Sequence, residues 1–374
     1  MKECKRILHV VSAMNRGGAE TMIMNLYRKI DRKIVQFDFL VHSDDKGHFD
    51  DEILSLGGRI IRCNSLGSIG PIKYIKEVSN LIKNNGPFHV VHSHTDFQGG
   101  FVAIAAKIAG ISKRICHSHN TKWLENPTLI HRLQLIVFRQ IINIYATGYC
   151  ACGADAAQFL FNNKNIDLGK VEYLNNGIDV DKFNINQENE YLKLKLDIKK
   201  DEIVIGHIGR FYDQKNHEFI IKIAKYMKER DYKFKIFLVG EGPKFKEIFN
   251  LVEKNNLSSN VKFLGVREDI PNLMHVFNVF LFPSFFEGLP VVLVEAQASG
   301  LPCVISNTIT KEVDLGLNLI HYCDLNDDIE IWVDEVIKHK NKKYVGIDIR
   351  KKILKDTGYD VNYNIEKIMK LYNI

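Results

Sequence analysis

The chain has 374 residues, about twice the length that one hydrophobic core usually organises, so two domains are expected. Hydrophobic residues make up 45% and charged residues 26%, a balance that excludes a wholly disordered chain. The net charge of +6 is too small and too dispersed for a nucleic-acid binder, yet it suits an anionic substrate.

The chain starts MKECKRILHVVSA, a charged tip followed by a short apolar run that contains His9 and leads straight into a glycine loop. That run reads as a first strand and not as a signal peptide. Strands are expected at residues 7–12, 37–42, 59–63, 89–94, 114–118, 146–152 and 171–175. Segments with helical spacing lie between them, such as Met22, Ile23, Leu26, Tyr27 and Ile30. After Asn176-Gly177-Ile178-Asp179 comes a polar run ending at Asp201, and the linker is placed near residues 177–200. The pattern then restarts, with strands at 203–209, 235–240, 261–265, 279–283, 303–306 and 319–322. Phe219, Ile220, Ile223, Ala224 and Met227 form one of the intervening helical stripes. Repeated strand–helix alternation predicts an α/β architecture of two Rossmann-like, doubly wound parallel sheets. The domains are set at 1–178 and 200–358, with a terminal helix at about 360–374 that can pack back on the first. No apolar run reaches the ~18 residues of a bilayer span. Seven scattered cysteines without a CxxC predict reduced thiols in a cytoplasmic enzyme, with neither disulfides nor a metal site.

Four segments carry chemistry. Gly17-Gly18 follows the first strand and opens a helix, where bare amides favour an anion, although the nicotinamide fingerprint GxGxxG is absent. Arg210 and Lys215 leave the first strand of the second half just before a helix that Asn216 is placed to cap. A guanidinium fork and a point charge beside a helix start are suited to a diphosphate. Glu287-Gly288-Leu289-Pro290 leads into a helix containing Glu295, which is surrounded by Val291, Val292, Leu293 and Val294. An acid in such apolar company is expected to be paired or to bind something. The fourth segment is a pair of strand ends, His92-Ser93-His94 and His117-Ser118-His119-Asn120, where open α/β sheets place ligands. Each of these histidines is more often a satisfied structural residue than a functional one.

Together these segments resemble the retaining GT-B glycosyltransferases of the family-4 type, the glycosyltransferase group 1 domain. Glu287 and Glu295 match that family's EX7E motif in an FEGLP…VEA context, and Val239-Gly240-Glu241-Gly242-Pro243 and Asp269-Ile270-Pro271 follow its order. The resemblance implies transfer of a hexose or N-acetylhexosamine from a nucleotide sugar, expected to be a UDP-sugar, to a hydroxyl of a glycan or lipid-linked acceptor. By the same resemblance the active site lies between two domains. Arg210 and Lys215 hold the diphosphate, and Glu295 accepts hydrogen bonds from the ribose. Glu287 contacts the sugar, Gly288 and Leu289 offer amides, and Gly240 and Arg267 line the nucleotide. Gly17 and Gly18 close over the phosphates, and His119 lies near the anomeric carbon, with His117 as its substitute. No metal or other cofactor is implied, because cationic side chains and helix starts can stabilise the departing phosphate. Capsular or exopolysaccharide synthesis is the implied pathway.

The alternatives are a nucleotide-sugar epimerase of the same architecture, a glycosidase, which also uses two carboxylates, and a non-catalytic sugar-nucleotide binding module, which the intact set of charged residues disfavours. Residues 129–145 combine Leu133, Ile136, Val137, Ile141 and Ile144 with His131, Arg132 and Arg139. A core-facing helix is the preferred reading, and peripheral contact with the inner face of a membrane is kept beside it.

Overall fold

The computed structural model describes residues 4–121, 123, 128–183, 190–340 and 345–374. The chain forms two compact units, one of residues up to Ile178 together with Gly358–Ile374, the other of Asp179–Thr357.

The first unit holds seven parallel strands: β1 (Lys5–Val11), β2 (Val35–Val41), β3 (Ile60–Arg62), β4 (Val90–Ser93), β5 (Lys113–Ser118), β6 (Gly148–Ala151) and β7 (Val171–Tyr173). Their order across the sheet is β3-β2-β1-β4-β5-β6-β7. β2 is buried along its whole length, as a strand covered on both faces must be. Its one acid, Asp38, is fully enclosed. Burial alone would raise the Asp38 carboxyl, but hydrogen bonds from Arg6 (2.6 Å) and Arg59 (2.7 Å) hold it below its ordinary value. Helix α1 (Gly18–Lys29) covers one face with Ile23, Leu26 and Tyr27. The C-terminal helix, Val361–Tyr372, lies on the same core through Val361, Ile368 and Tyr372. It is anchored where Ile178 N–H donates to Tyr359 O (2.8 Å) and Val361 N–H to Ile178 O (3.0 Å).

The second unit is a six-stranded parallel sheet of β8 (Ile203–Ile208), β9 (Phe234–Val239), β10 (Val261–Gly265), β11 (Val279–Phe282), β12 (Cys303–Ser306) and β13 (Ile320–Cys323). Its order is β10-β9-β8-β11-β12-β13. The chain winds one way from β8 and the other way from β11, so the loops after these adjacent strands part at a topological switch point. Ligands of open α/β sheets bind there.

The expected linker needs correction. Asp179–Lys200 belongs to the second unit, not to a connection ahead of residue 200. Val180, Phe183 and Leu192 are buried, and His275 shares a hydrogen bond with Phe183 O (3.1 Å). Three apolar anchors in a polar run are enough to lay it on the domain. Residues 184–189 of that run lie outside the described residues.

Candidate active site

The β8 loop reaches helix α2 (His217–Glu229) through a short 3-10 turn, Asp213–Lys215. Asn216 stands at the N-cap position but does not cap. It adopts a left-handed conformation (φ 52°, ψ 47°), and its Nδ2 donates to Pro283 O at 3.1 Å. The side chain is used across the switch point, to hold the β11 loop. Gln214 fastens the same two loops: its carbonyl accepts from Phe285 N–H (2.9 Å) and its Nε2 donates to Phe286 O (2.9 Å). Lys215 completes the seam. Its Nζ lies 2.6 Å from Glu287 Oε1 and 4.6 Å from the centre of the Phe282 ring, and the side chains of the pair are 16% and 9% exposed. Two residues given separate ligand contacts in sequence are therefore ion-paired, and Lys215 is not the loose surface residue its loop position suggests.

Helix α3 (Val291–Ala298) begins after Pro290 with no side-chain cap. The amides of Gly288 and Leu289 donate to no acceptor among the described residues, and a Cβ on Gly288 would meet only open space. Glu295 sits one turn in, half-buried, and its carboxylate makes no hydrogen bond or ion pair among the described residues. Desolvation by its apolar neighbours pushes its carboxyl up to about 7. Gly240 has φ +136°, and a Cβ there would strike the Gly209 carbonyl, so the β9 loop lies directly against Gly209-Arg210. Arg210 is exposed at that corner. Arg267 is further along, after β10, with its Nε and Nη2 held by Asp269 at 2.7 and 2.6 Å.

In the first unit, Gly17 and Gly18 start α1 without a side-chain cap; the Gly17 N–H donates to Asn15 O (3.0 Å), while the Gly18 amide has no acceptor among the described residues. Glu20, in the first turn, lies so close to Gly17 that a Cβ would collide with its carboxylate. An anion arriving here has to displace that acid.

The two histidine-bearing strand ends join with His9 of β1 into one cluster. The registers His9↔His92 and His117↔Cys150 put His9, His92, His94, His117, His119 and Cys150 on one face. His9 Nδ1 and His94 Nε2 are 2.9 Å apart, as are His94 Nδ1 and His119 Nε2. His92 Nδ1 meets the Tyr372 hydroxyl at 2.8 Å. Burial lowers His9 to about 3, His119 to about 4, and His92, His94 and His117 well below their ordinary value. His117 is fully buried with both ring nitrogens unpartnered, which removes it as a substitute for half-buried His119. Asp96, unremarked in sequence, positions His119 by accepting from its backbone N–H (2.7 Å) and from Asn120 Nδ2 (2.5 Å).

Several side-chain trios approach within 4.8 Å, as a metal would require: His9, His92 and His94; His92, His117 and Cys150; His94, His117 and His119; and His321, Glu335 and His339. Their chemistry fits an ion poorly. In the first and third, both nitrogens of His94 are already engaged by His9 and His119, so neither trio keeps three free lone pairs. Burial raises the Cys150 thiol well above its ordinary value. His321 and His339 stack face to face (3.4 Å, 7°), so their in-plane lone pairs run parallel and do not converge.

Helix Leu129–Tyr145 overturns the core-facing expectation. Only Ile142 is fully buried, while Leu129, Ile130, Leu133, Ile136, Val137 and Ile144 are each more than half exposed. Phe138 and Ile141 pack inward, so the helix has a second apolar stripe outside. No helix among the described residues is long and apolar enough to cross a membrane.

The profile for glycosyl transferases group 1 matches residues 189–313, and that for glycosyltransferase family 4 matches residues 16–182. The putative glycosyltransferase EpsF of Bacillus subtilis (strain 168) is 48% identical over 371 residues, covering 99% of this chain and 97% of its own. The Escherichia coli UDP-Gal:alpha-D-GlcNAc-diphosphoundecaprenol alpha-1,3-galactosyltransferase is 27% identical, over 98% of this chain and 96% of its own. The crystal structure of Anabaena Alr3699/HepE in complex with UDP matches the fold with a TM-score of 0.76 at 20% identity, covering 99% of both chains.

Proposed function

Since the chain belongs to the family-4, group 1 glycosyltransferases of the GT-B fold, we propose that it is a retaining enzyme that uses a UDP-sugar. It is a transferase, so the epimerase and glycosidase alternatives lapse. In this reading, a hexose or N-acetylhexosamine passes to a hydroxyl of a glycan or lipid-linked acceptor in polysaccharide assembly. The E. coli relative, named for a UDP-sugar and a diphosphoundecaprenol acceptor, supports both substrate classes.

The observation that carries the donor reading is Glu295. A half-buried carboxylate with no partner among the described residues, pushed up to about 7, is an acceptor awaiting donors, and the paired hydroxyls of a ribose supply them. One turn away, the open amides of Gly288 and Leu289 and the cations Lys215 and Arg210 suit a pyrophosphate. The bond from the anomeric carbon to the β-phosphate oxygen breaks, and UDP departs with the electron pair. The acceptor oxygen bonds to that carbon from the same face, and its proton passes to the departing phosphate. Arg210, Lys215 and the amides stabilise the developing charge, which asks nothing of a metal. Glu287 orients sugar hydroxyls while held by Lys215, Gly240 and the backbone near Arg267 border the nucleotide, and His119 faces the transferred sugar. Gly17 and Gly18 are assigned to the donor phosphates by the family motif they match. Incubation with UDP-sugars and a lipid-linked saccharide tests this reading: an α-linked product from an α-linked donor is expected, and an inverted linkage would contradict it.

The exposed stripe of Leu129–Tyr145 supports peripheral membrane contact. The helix carries no acid, and Arg132 is exposed beside the apolar residues, a combination suited to an anionic lipid surface. Arg139 takes no part, because its guanidinium donates to the Phe159 carbonyl.

A further inference from the structure

The row His9–His94–His119 runs from a closed end to an open one. At the closed end, His9 Nε2 is buried without a hydrogen-bond partner, and the ring lies 4.3 Å from Phe37 and 5.6 Å from Phe39. At the open end, His119 is half-buried, and its Nδ1 has no partner among the described residues and is not an enclosed orphan. All three rings are neutral, so each carries one proton and one lone pair. Each 2.9 Å nitrogen–nitrogen contact holds one proton. Three protons and two contacts leave a single proton for the ends, on His9 Nε2 or on His119 Nδ1.

A buried N–H without an acceptor is the rarer and costlier orphan, whereas an N–H at the open end can reach water or a ligand. The proton therefore belongs at the open end. We propose that His9 and His94 are positioning residues that lock His119 as its Nδ1–H tautomer. The group His119 presents is then a hydrogen-bond donor and not a base. His9 Nδ1–H donates to His94 Nε2, and His94 Nδ1–H donates to His119 Nε2. This rests on the placement of His119 at the transferred sugar, where it becomes a fixed donor to a sugar or phosphate oxygen. The acceptor's proton must then leave by another route, consistent with its passage to the departing phosphate. His92 and His117 stand outside the row, the first bonded to Tyr372 and the second stacked on His119 (4.0 Å) without a hydrogen bond among the described residues.

The full chain, labelled with 15N-histidine and free of substrate, tests the tautomer by two-bond proton–nitrogen correlation. The His119 signals are identified by their loss in His119→Gln. The wild type is expected to show His119 protonated at Nδ1, and an Nε2–H pattern would overturn the proposal. His94→Asn keeps a donor near the Nδ1 position and is expected to preserve the pattern. His94→Leu removes that donor, and His119 is expected to shift towards Nε2–H. An unchanged Nδ1–H in His94→Leu would overturn the role of His94. Should neither variant fold, the wild-type spectrum alone decides. The placement at the sugar is tested separately: full transfer activity in His119→Ala would refute it and leave the tautomer lock standing.

Discussion

Glu295 offers the sharpest quantitative test, because its protonation and its binding role pull in opposite directions. A ribose donates hydrogen bonds to the charged carboxylate, yet desolvation holds the carboxyl at about 7, well above the usual carboxylate range. With that value, about 9% of Glu295 is ionised at pH 6 and about 91% at pH 8. The affinity for a nucleotide sugar should therefore rise about tenfold between these pH values, worth ~1.4 kcal/mol. The perturbation is Glu295→Gln, which fixes the site in an uncharged form. The assay is calorimetric titration with UDP-glucose, whose esterified pyrophosphate does not titrate in this range. Buffers of different ionisation enthalpy count the proton that Glu295 releases on binding. The wild type should show the tenfold rise and proton release below pH 7, and Glu295→Gln should bind more weakly and without either. An equal pH dependence in both proteins would refute the reasoning. Stability carries the opposite slope. An acid raised from 4.5 to about 7 leaves the fold unpenalised below pH 4 and destabilises it progressively up to pH 7, by at most about 3.5 kcal/mol. Glu295→Gln should flatten that decline.

Two further perturbations address the seam and the exposed helix. Lys215→Ala should cut transfer at least tenfold. It should also lower unfolding stability by ~2–4 kcal/mol, because Glu287 is left nearly enclosed and unpaired. Adding Glu287→Gln should restore the stability in a denaturant titration without restoring turnover, and recovery of both would contradict a diphosphate role. Leu133→Glu with Val137→Glu should weaken binding to anionic vesicles at least a hundredfold and abolish co-sedimentation, since each exposed aliphatic contributes about 1.5–3 kcal/mol when buried. Retained co-sedimentation would remove the helix as the contact.

The fold was readable because strands covered on both faces appear as unbroken apolar runs, such as β2 and β11, separated by helical stripes. The spacing of Glu287 and Glu295 was equally readable, since one loop and one helix carry both. What sequence did not reveal depends on strand adjacency. Lys215 and Glu287 are 72 residues apart and meet only because β8 lies beside β11. His9 joins His94 across 85 residues through the β1–β4 pairing. Asn216 looked like a cap because its residue type favours that position, but the neighbouring strand claimed its amide. Periodicity also misjudged Leu129–Tyr145. A helix with two apolar stripes gives the pattern of a core helix, and only packing shows which stripe is unused.

The central claim is that the loops at the switch point of the second unit hold a nucleotide diphosphate. A crystal structure of the chain soaked with UDP tests it most directly. The account predicts the pyrophosphate on the amides of Gly288 and Leu289 beside Lys215 and Arg210, with both ribose hydroxyls on Glu295. UDP seated away from the start of α3, or a ribose that leaves Glu295 untouched, would contradict it.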